Sequence, residues 1–306
     1  MLLSRFFGKS KPIVFLSLVV YISIHFWVKI LQTNSTSGFA VAGKYILLLL
    51  LFFGINFIVK RNKISQQNAY SVLFFSLLCT AIPRFYIDFN YLIPAFFVVL
   101  GLRRIISLKT QIDTKKKIFD ASLWFFIASL FQPYLSLLIV LAFLGVLQYT
   151  LYSPRNLFIP IVAWVCGGLF FTAFQLWQTD EWIFFYETYS SQFGWNNFSA
   201  IWQNHKLTFS ILIPLILFVF FAVSKVISKA QLALKASLIL LVLAFVFVFL
   251  GWMFSSQNHA AGLGIAFIPL SMIASTSLEI RIKPIIQEIV IVLLFVASLI
   301  GLFMPI

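Results

Sequence analysis

The chain has 306 residues, of which 62% are hydrophobic and 10% charged, with a mean hydropathy of +1.03. A soluble domain carries about 25% charged residues, so a water-soluble globular fold is excluded. The net charge of +14 would suit a nucleic-acid binder, but in a chain this apolar Lys and Arg gather first in cytoplasmic loops, and no nucleic-acid partner is expected.

A helix needs about 20 apolar residues to cross a hydrocarbon core of about 30 Å. The first apolar stretch, 12–31, follows a basic start at Arg5, Lys9 and Lys11. It looks like a signal peptide, and Ala40-Val41-Ala42 imitates a cleavage site, but the stretch is too long and the Ala pair too distant. A retained first span with its N-terminus in the cytoplasm is therefore expected. Further full-length spans are read at 43–59, 133–152, 155–176, 207–227, 236–254 and 285–304. Four segments are short, Tyr70 to Pro83, Tyr91 to Leu102, Ile118 to Phe131 and Leu263 to Ser277. As helix they reach only about 18–23 Å. The first two face each other across Arg84 to Asn90, as two crossings or as one re-entrant hairpin.

No polar block is large enough for a soluble domain, so residues 1–306 are read as one integral membrane domain. It is expected to be an all-α polytopic transmembrane helical bundle of about eleven segments, with the C-terminus periplasmic. Folded this way, all of the 22 Lys and Arg except Lys29, Lys44, Arg84 and Lys206 fall on the inner side, and the eight acids divide evenly. The whole charge excess thus sits on one face, as the rule for cytoplasmic loops requires. The long outer loop, 177–206, carries Trp182, Phe185, Tyr186 and Tyr189, then Trp195, Phe198 and Trp202. That spacing suits amphipathic helices lying in the headgroup region.

The outer-side breaks are polar, at Arg84 to Asn90, at Gln132-Pro133-Tyr134 and at Gln257-Asn258-His259. Irregular backbone at membrane depth is tolerated where it is buried in protein or lines a wet cavity. A depression open to the outside is therefore expected, rimmed by Lys44 and Arg84 with Gln132, Asn258 and His259 as polar contacts. His25 and Lys29 share a helix face nearby. The plainer expectation has Lys29, Lys44 and Arg84 snorkelling to the interface and pairing with Asp88, Asp180, Glu181 or Glu187.

Asp120, close behind Lys115-Lys116-Lys117, reads as a helix-start residue, and Glu288 as a partner of Lys283 near the inner edge. Cys79 and Cys166 lie in apolar segments, so no disulfide is inferred. The three histidines are scattered and no Cys motif is present, so no metal and no haem are expected. No nucleophile elbow, P-loop or dinucleotide fingerprint appears, and no cofactor is expected.

The stretch Lys117-Ile118-Phe119-Asp120-Ala121-Ser122-Leu123-Trp124, with Ile127-Ala128-Ser129-Leu130-Phe131 after it, resembles the signature region of an uncharacterised family. Its members are polytopic inner-membrane proteins, roughly 300 residues long, of flavobacteria and related Bacteroidota. Leu102-Arg103-Arg104-Ile105, Arg155-Asn156 and Ile159-Pro160 fit the same resemblance. It implies a bacterial cytoplasmic membrane and no particular chemistry. In architecture the chain is also similar to polyprenyl-linked sugar transferases and to O-antigen-polymerase-like proteins. The transferases generally place an acid in the first periplasmic loop, and residues 32–42 contain none.

Three functions follow as expectations. The first is a non-catalytic component of cell-envelope biogenesis that meets membrane lipids and another envelope protein. The second is a periplasm-facing enzyme or binder of polyprenyl-linked glycans, with Arg84 and Lys44 on phosphate and Asp88 or Glu187 as base. The third is a permease for a small solute or lipid.

Overall fold

In lipid the backbone must satisfy its own hydrogen bonds, so an apolar chain of this kind folds into helices. The computed structural model describes residues 2–33, 37–66, 68–149, 154–179, 198–256, 260–279 and 284–303. Among them the fold is an all-α polytopic bundle, with eight helices long and apolar enough to cross a membrane.

A short helix α1 (Leu2–Phe7) precedes α2 (Pro12–Gln32), which opens on Pro12, where a missing N–H costs nothing. Helix α3 (Gly38–Arg61) starts under Ser37, whose hydroxyl accepts the Ala40 amide at 3.4 Å, and ends on Lys60 and Arg61. Helix α4 (Tyr70–Ala81) is followed by the single turn α5 (Arg84–Ile87) and by α6 (Phe89–Ile106). A 3-10 turn over Ser107–Thr110 leads to α7 (Thr114–Phe131). A second 3-10 turn, Pro133–Leu137, leads to α8 (Leu138–Tyr149), and a third, Pro154–Phe158, to α9 (Ile159–Thr179). The remaining helices are α10 (Phe198–Lys229), kinked at His205, α11 (Leu232–Met253), α12 (Leu263–Ser277) and α13 (Pro284–Phe303).

Several boundaries differ from the hydropathy reading. Tyr91 to Leu102 lies inside the 18-residue α6, which runs on through Arg103 and Arg104, and Ile118 to Phe131 is extended back to Thr114 through three lysines. Long basic side chains reach water from a helix end, so charge does not stop the helix where hydropathy does. Residues 133–152, expected as one span, instead begin with a tight 3-10 turn behind Pro133, which leaves 12 residues of α-helix in α8. Pro154 opens the turn that precedes α9.

The loops sort to two ends. At the N-terminal end, the Glu279 carboxylate accepts from the Ser65 hydroxyl, the Gln66 amide and the Asn68 side chain, and Gln111 donates to the Tyr149 carbonyl. The ends of α3, α6, α8 and α12 therefore gather at one end of the bundle, and most of the basic residues lie there. The opposite end holds the breaks after α4, α7 and α11.

Two helices form the centre. Every residue of α4 is buried, as is the whole span 260–277 that contains α12. Helix α9 is peripheral, with only 17% of its span buried. Segment 70–88 runs along the bundle rather than turning back on itself. Thr80, at the end of α4, shares its hydroxyl with Ser298 at 2.6 Å, level with Tyr21 in the middle of α2. Helix α5 continues past Phe26 to Phe89, which meets Gly43 and Lys44 near the start of α3.

Candidate functional site

At the end opposite α1, the described parts of the breaks after α4, α7 and α11 converge. The Gln132 side chain donates to the Asn90 carbonyl at 3.0 Å, and the Tyr134 hydroxyl donates to the Gly262 carbonyl at 3.1 Å. Phe85 of α5 packs on Gly264, where no Cβ could be accommodated without displacing the ring. Three chain breaks distant in sequence are thus joined by backbone carbonyls and one close helix approach. Each bond removes a polar group from membrane depth, where it would otherwise be unsatisfied.

The expected site residues divide around this junction. Lys44 is 8% exposed, with its ammonium over the Phe89 ring at 5.4 Å from the centroid, and Gln132 is 2% exposed. Arg84 and Asp88 are half-buried. Lys44 and Gln132 are thus both largely covered by protein. Asn258, His259 and Glu187 fall outside the described residues, as do Asp180, Glu181 and most of the loop 177–206. The described part of that loop includes the helical start of α10, where Trp202 stacks on Phe209 at 6.3 Å.

A second polar line runs inward along α2. Tyr21, His25 and Lys29 follow at intervals of four and so share one face. Tyr21 bonds Ser298, the His25 ring lies 4.5 Å from the Tyr21 ring, and the Lys29 amine donates to Gln32 at 3.1 Å. Lys29 thus reaches toward the helix end as a snorkelling lysine would, but it is fully covered by protein. The sequence showed the His25 and Lys29 pairing. It missed Tyr21 and Ser298, although the interval of four from His25 was a visible signal. His25 Nδ1, the Tyr86 hydroxyl and Gln132 Oε1 are buried here without hydrogen-bond partners.

The described carboxylates are all engaged. Asp88 caps α6 by accepting the Asn90 amide at 3.0 Å, and Asp120 pairs with Arg104 at 3.0 Å. Asp113 meets Lys116 at 3.5 Å, and Glu279 gathers the loop after α3. Glu288 accepts the amides of Leu3 and Ser4 at 3.0 and 3.1 Å. Its expected partner Lys283 lies outside the described residues, and the carboxylate holds the free N–H groups that open α1. Among the described residues no three His, Cys, Asp or Glu come together as metal ligands would.

The hydroxyls of the central helices are also occupied. Ser76 and Thr80 of α4 donate to Val72 and Ser76 carbonyls, and Ser271, Ser275, Thr276 and Ser277 of α12 bond carbonyls three residues back. Turned onto their own helices, and in the case of Thr80 also onto Ser298 of α13, they offer little to a passing solute. The chain matches no family model, no curated protein and no solved structure.

Proposed function

We propose that this multi-pass membrane protein is a non-catalytic component of a bacterial cytoplasmic membrane, serving cell-envelope biogenesis as a scaffold that contacts lipid and a further envelope protein. The observation that carries this is the engagement of all five described carboxylates in capping, pairing or loop-holding contacts. General acid or base work needs a group within reach of a substrate proton, and Asp88, the described candidate, already caps a helix. The compartment rests on the charge asymmetry and the family resemblance.

A permease would need a polar path. The centre is instead filled by α4 and α12, with their hydroxyls bonded internally, which favours a scaffold over a conduit.

Asp88→Asn separates scaffold from enzyme, because Asn caps a helix about as well as Asp but cannot act as a base. In a strain lacking the chain, Asp88→Asn and Glu187→Gln are expected to restore growth and envelope glycans to the wild-type level. Normal amounts of folded variant with altered glycans would overturn the proposal in favour of a periplasm-facing enzyme acting on polyprenyl-linked glycans.

A further inference from the structure

At the basic end, the last turn of α3, the end of α6 with its 3-10 turn and the first turn of α7 border a half-open cavity of about 310 Å³. Arg61, Arg103, Arg104, Lys109 and Lys117 line it, and its described lining includes no carboxylate. At about 30 Å³ per water in the liquid, the space exceeds a single water several-fold. It can hold a headgroup.

What holds these cations is mostly neutral. The Lys109 ammonium donates to the Asn62 carbonyl, and Lys117 donates to the Ser107 carbonyl at 3.0 Å and to the Thr110 hydroxyl at 2.7 Å. The Arg103 guanidinium lies over the Phe57 ring, 4.8 Å from its centroid. Arg104 meets an acid, Asp120, so one of the positive charges is compensated. Capping of helix carbonyls accounts for Lys109 and Lys117. It leaves Arg61 and Arg103 beside the paired Arg104 on the same space, an excess of positive charge that an entering anion would offset.

The cavity also has an apolar approach. Ile46, Leu50, Phe53 and Phe57 recur on one face of α3, each between 44 and 56% exposed, and the last of them is part of the cavity wall. Ile112, 66% exposed, borders it on the other side. A free anion has no use for such a stripe, whereas an acyl chain would cover it.

We propose that this cavity binds the phosphate headgroup of an anionic membrane phospholipid, with its acyl chains laid along the exposed face of α3. Arginine forks suit phosphate oxygens in two-point contacts, and the charge rule places this end in the cytoplasmic leaflet. The inference stands apart from the scaffold proposal, since an enzyme or a permease could carry the same lipid site.

Native mass spectrometry of the intact protein, released from detergent with phosphatidylglycerol or phosphatidylcholine, provides the test. The wild type is expected to retain one phosphatidylglycerol about tenfold more tightly than phosphatidylcholine, and Arg61→Ala with Arg103→Ala to abolish most of that preference. Lys229→Ala with Lys235→Ala removes two exposed charges from the same end but outside the cavity, and should leave the preference intact. Equal retention of both lipids by the wild type would overturn the site, as would an equal loss in both double variants. Displacement of the lipid by millimolar inorganic phosphate would overturn the lipid assignment and leave a soluble anion as ligand. Arg61 and Arg103 are exposed, so the fold should survive their loss. If the double variant fails to fold, Arg61→Gln alone is read by the same ratio.

Discussion

The side-chain amide of Gln132 donates to the backbone carbonyl of Asn90 at 3.0 Å, tying the end of α7 to the start of α6. The other side-chain atom, Oε1, is buried without a partner. Gln132→Ala should therefore lower stability in detergent by about 1 kcal/mol, the usual net worth of one hydrogen bond. Gln132→Leu, like Gln132→Ala, removes both the bond and the unsatisfied oxygen, but it fills more of the space. It should cost less than Gln132→Ala in the same thermal unfolding measurement, and a larger loss would contradict this account of the junction.

The cap on α6 makes a complementary prediction. Asp88→Ala should cost about 1 kcal/mol and Asp88→Asn only a few tenths, because both Asp and Asn accept the amide that Ala leaves bare. Equal losses in thermal unfolding would show that the carboxylate charge, and not the cap, is what matters.

Helix α13 approaches α4 through Gly301, where a Cβ would press into the Thr80 carbonyl and meet the Ala81 Cα at 3.0 Å. Backbone cannot swing aside as a side chain can, so Gly301→Ala should destabilise by about 1–3 kcal/mol. At Gly168 on the peripheral α9, nothing lies within 4 Å of an added Cβ. Gly168→Ala should be neutral or stabilising, by up to about 1 kcal/mol from helix propensity. Unfolding midpoints of the two variants check the pair.

Glu288 fastens α1 to α13 through the Leu3 and Ser4 amides. Glu288→Ala should release the first residues, and limited proteolysis should cut before Pro12 faster than in the wild type, while the spans remain protected. An unchanged cleavage rate would mean that the Tyr70 hydroxyl on the Ser4 carbonyl, 2.9 Å away, holds α1 by itself.

Sidedness has a direct check. A reporter active only in the periplasm, fused after Ile306, should be active, and cysteines placed at the exposed Asn90 and Gln66 should label from opposite sides of the membrane. Labelling of both from one side would remove a crossing, and segment 70–88 is the one it would implicate.

Much of the architecture was legible because hydropathy is local. The apolar runs at 12–31, 207–227 and 236–254 each appear as helices, and the charge asymmetry survives as one basic end. Helix ends were less legible: Arg103, Arg104 and Lys115 to Lys117 look like loop residues, yet they continue α6 and α7. Two of the expected polar breaks, Arg84 to Asn90 and Gln132 to Tyr134, meet through Gln132 and Asn90, but how far Lys44 or Gln132 is covered depends on neighbours far away in sequence.

The sequence by itself determined that this chain lives in a membrane, where most of its long apolar helices lie and which end carries the charge, since each follows from the local pattern of apolar and basic residues. Only the tertiary structure decided that α4 and α12 occupy the centre while α9 lies at the edge. Lipid tails are about as apolar as a protein core, so hydropathy cannot separate a buried helix from a lipid-facing one. The same structure decided what became of the charged groups: Asp88 was drawn into a cap, Lys44 onto Phe89, and three arginines around a shared cavity. A charge in a sequence has no partner until the fold brings one within reach.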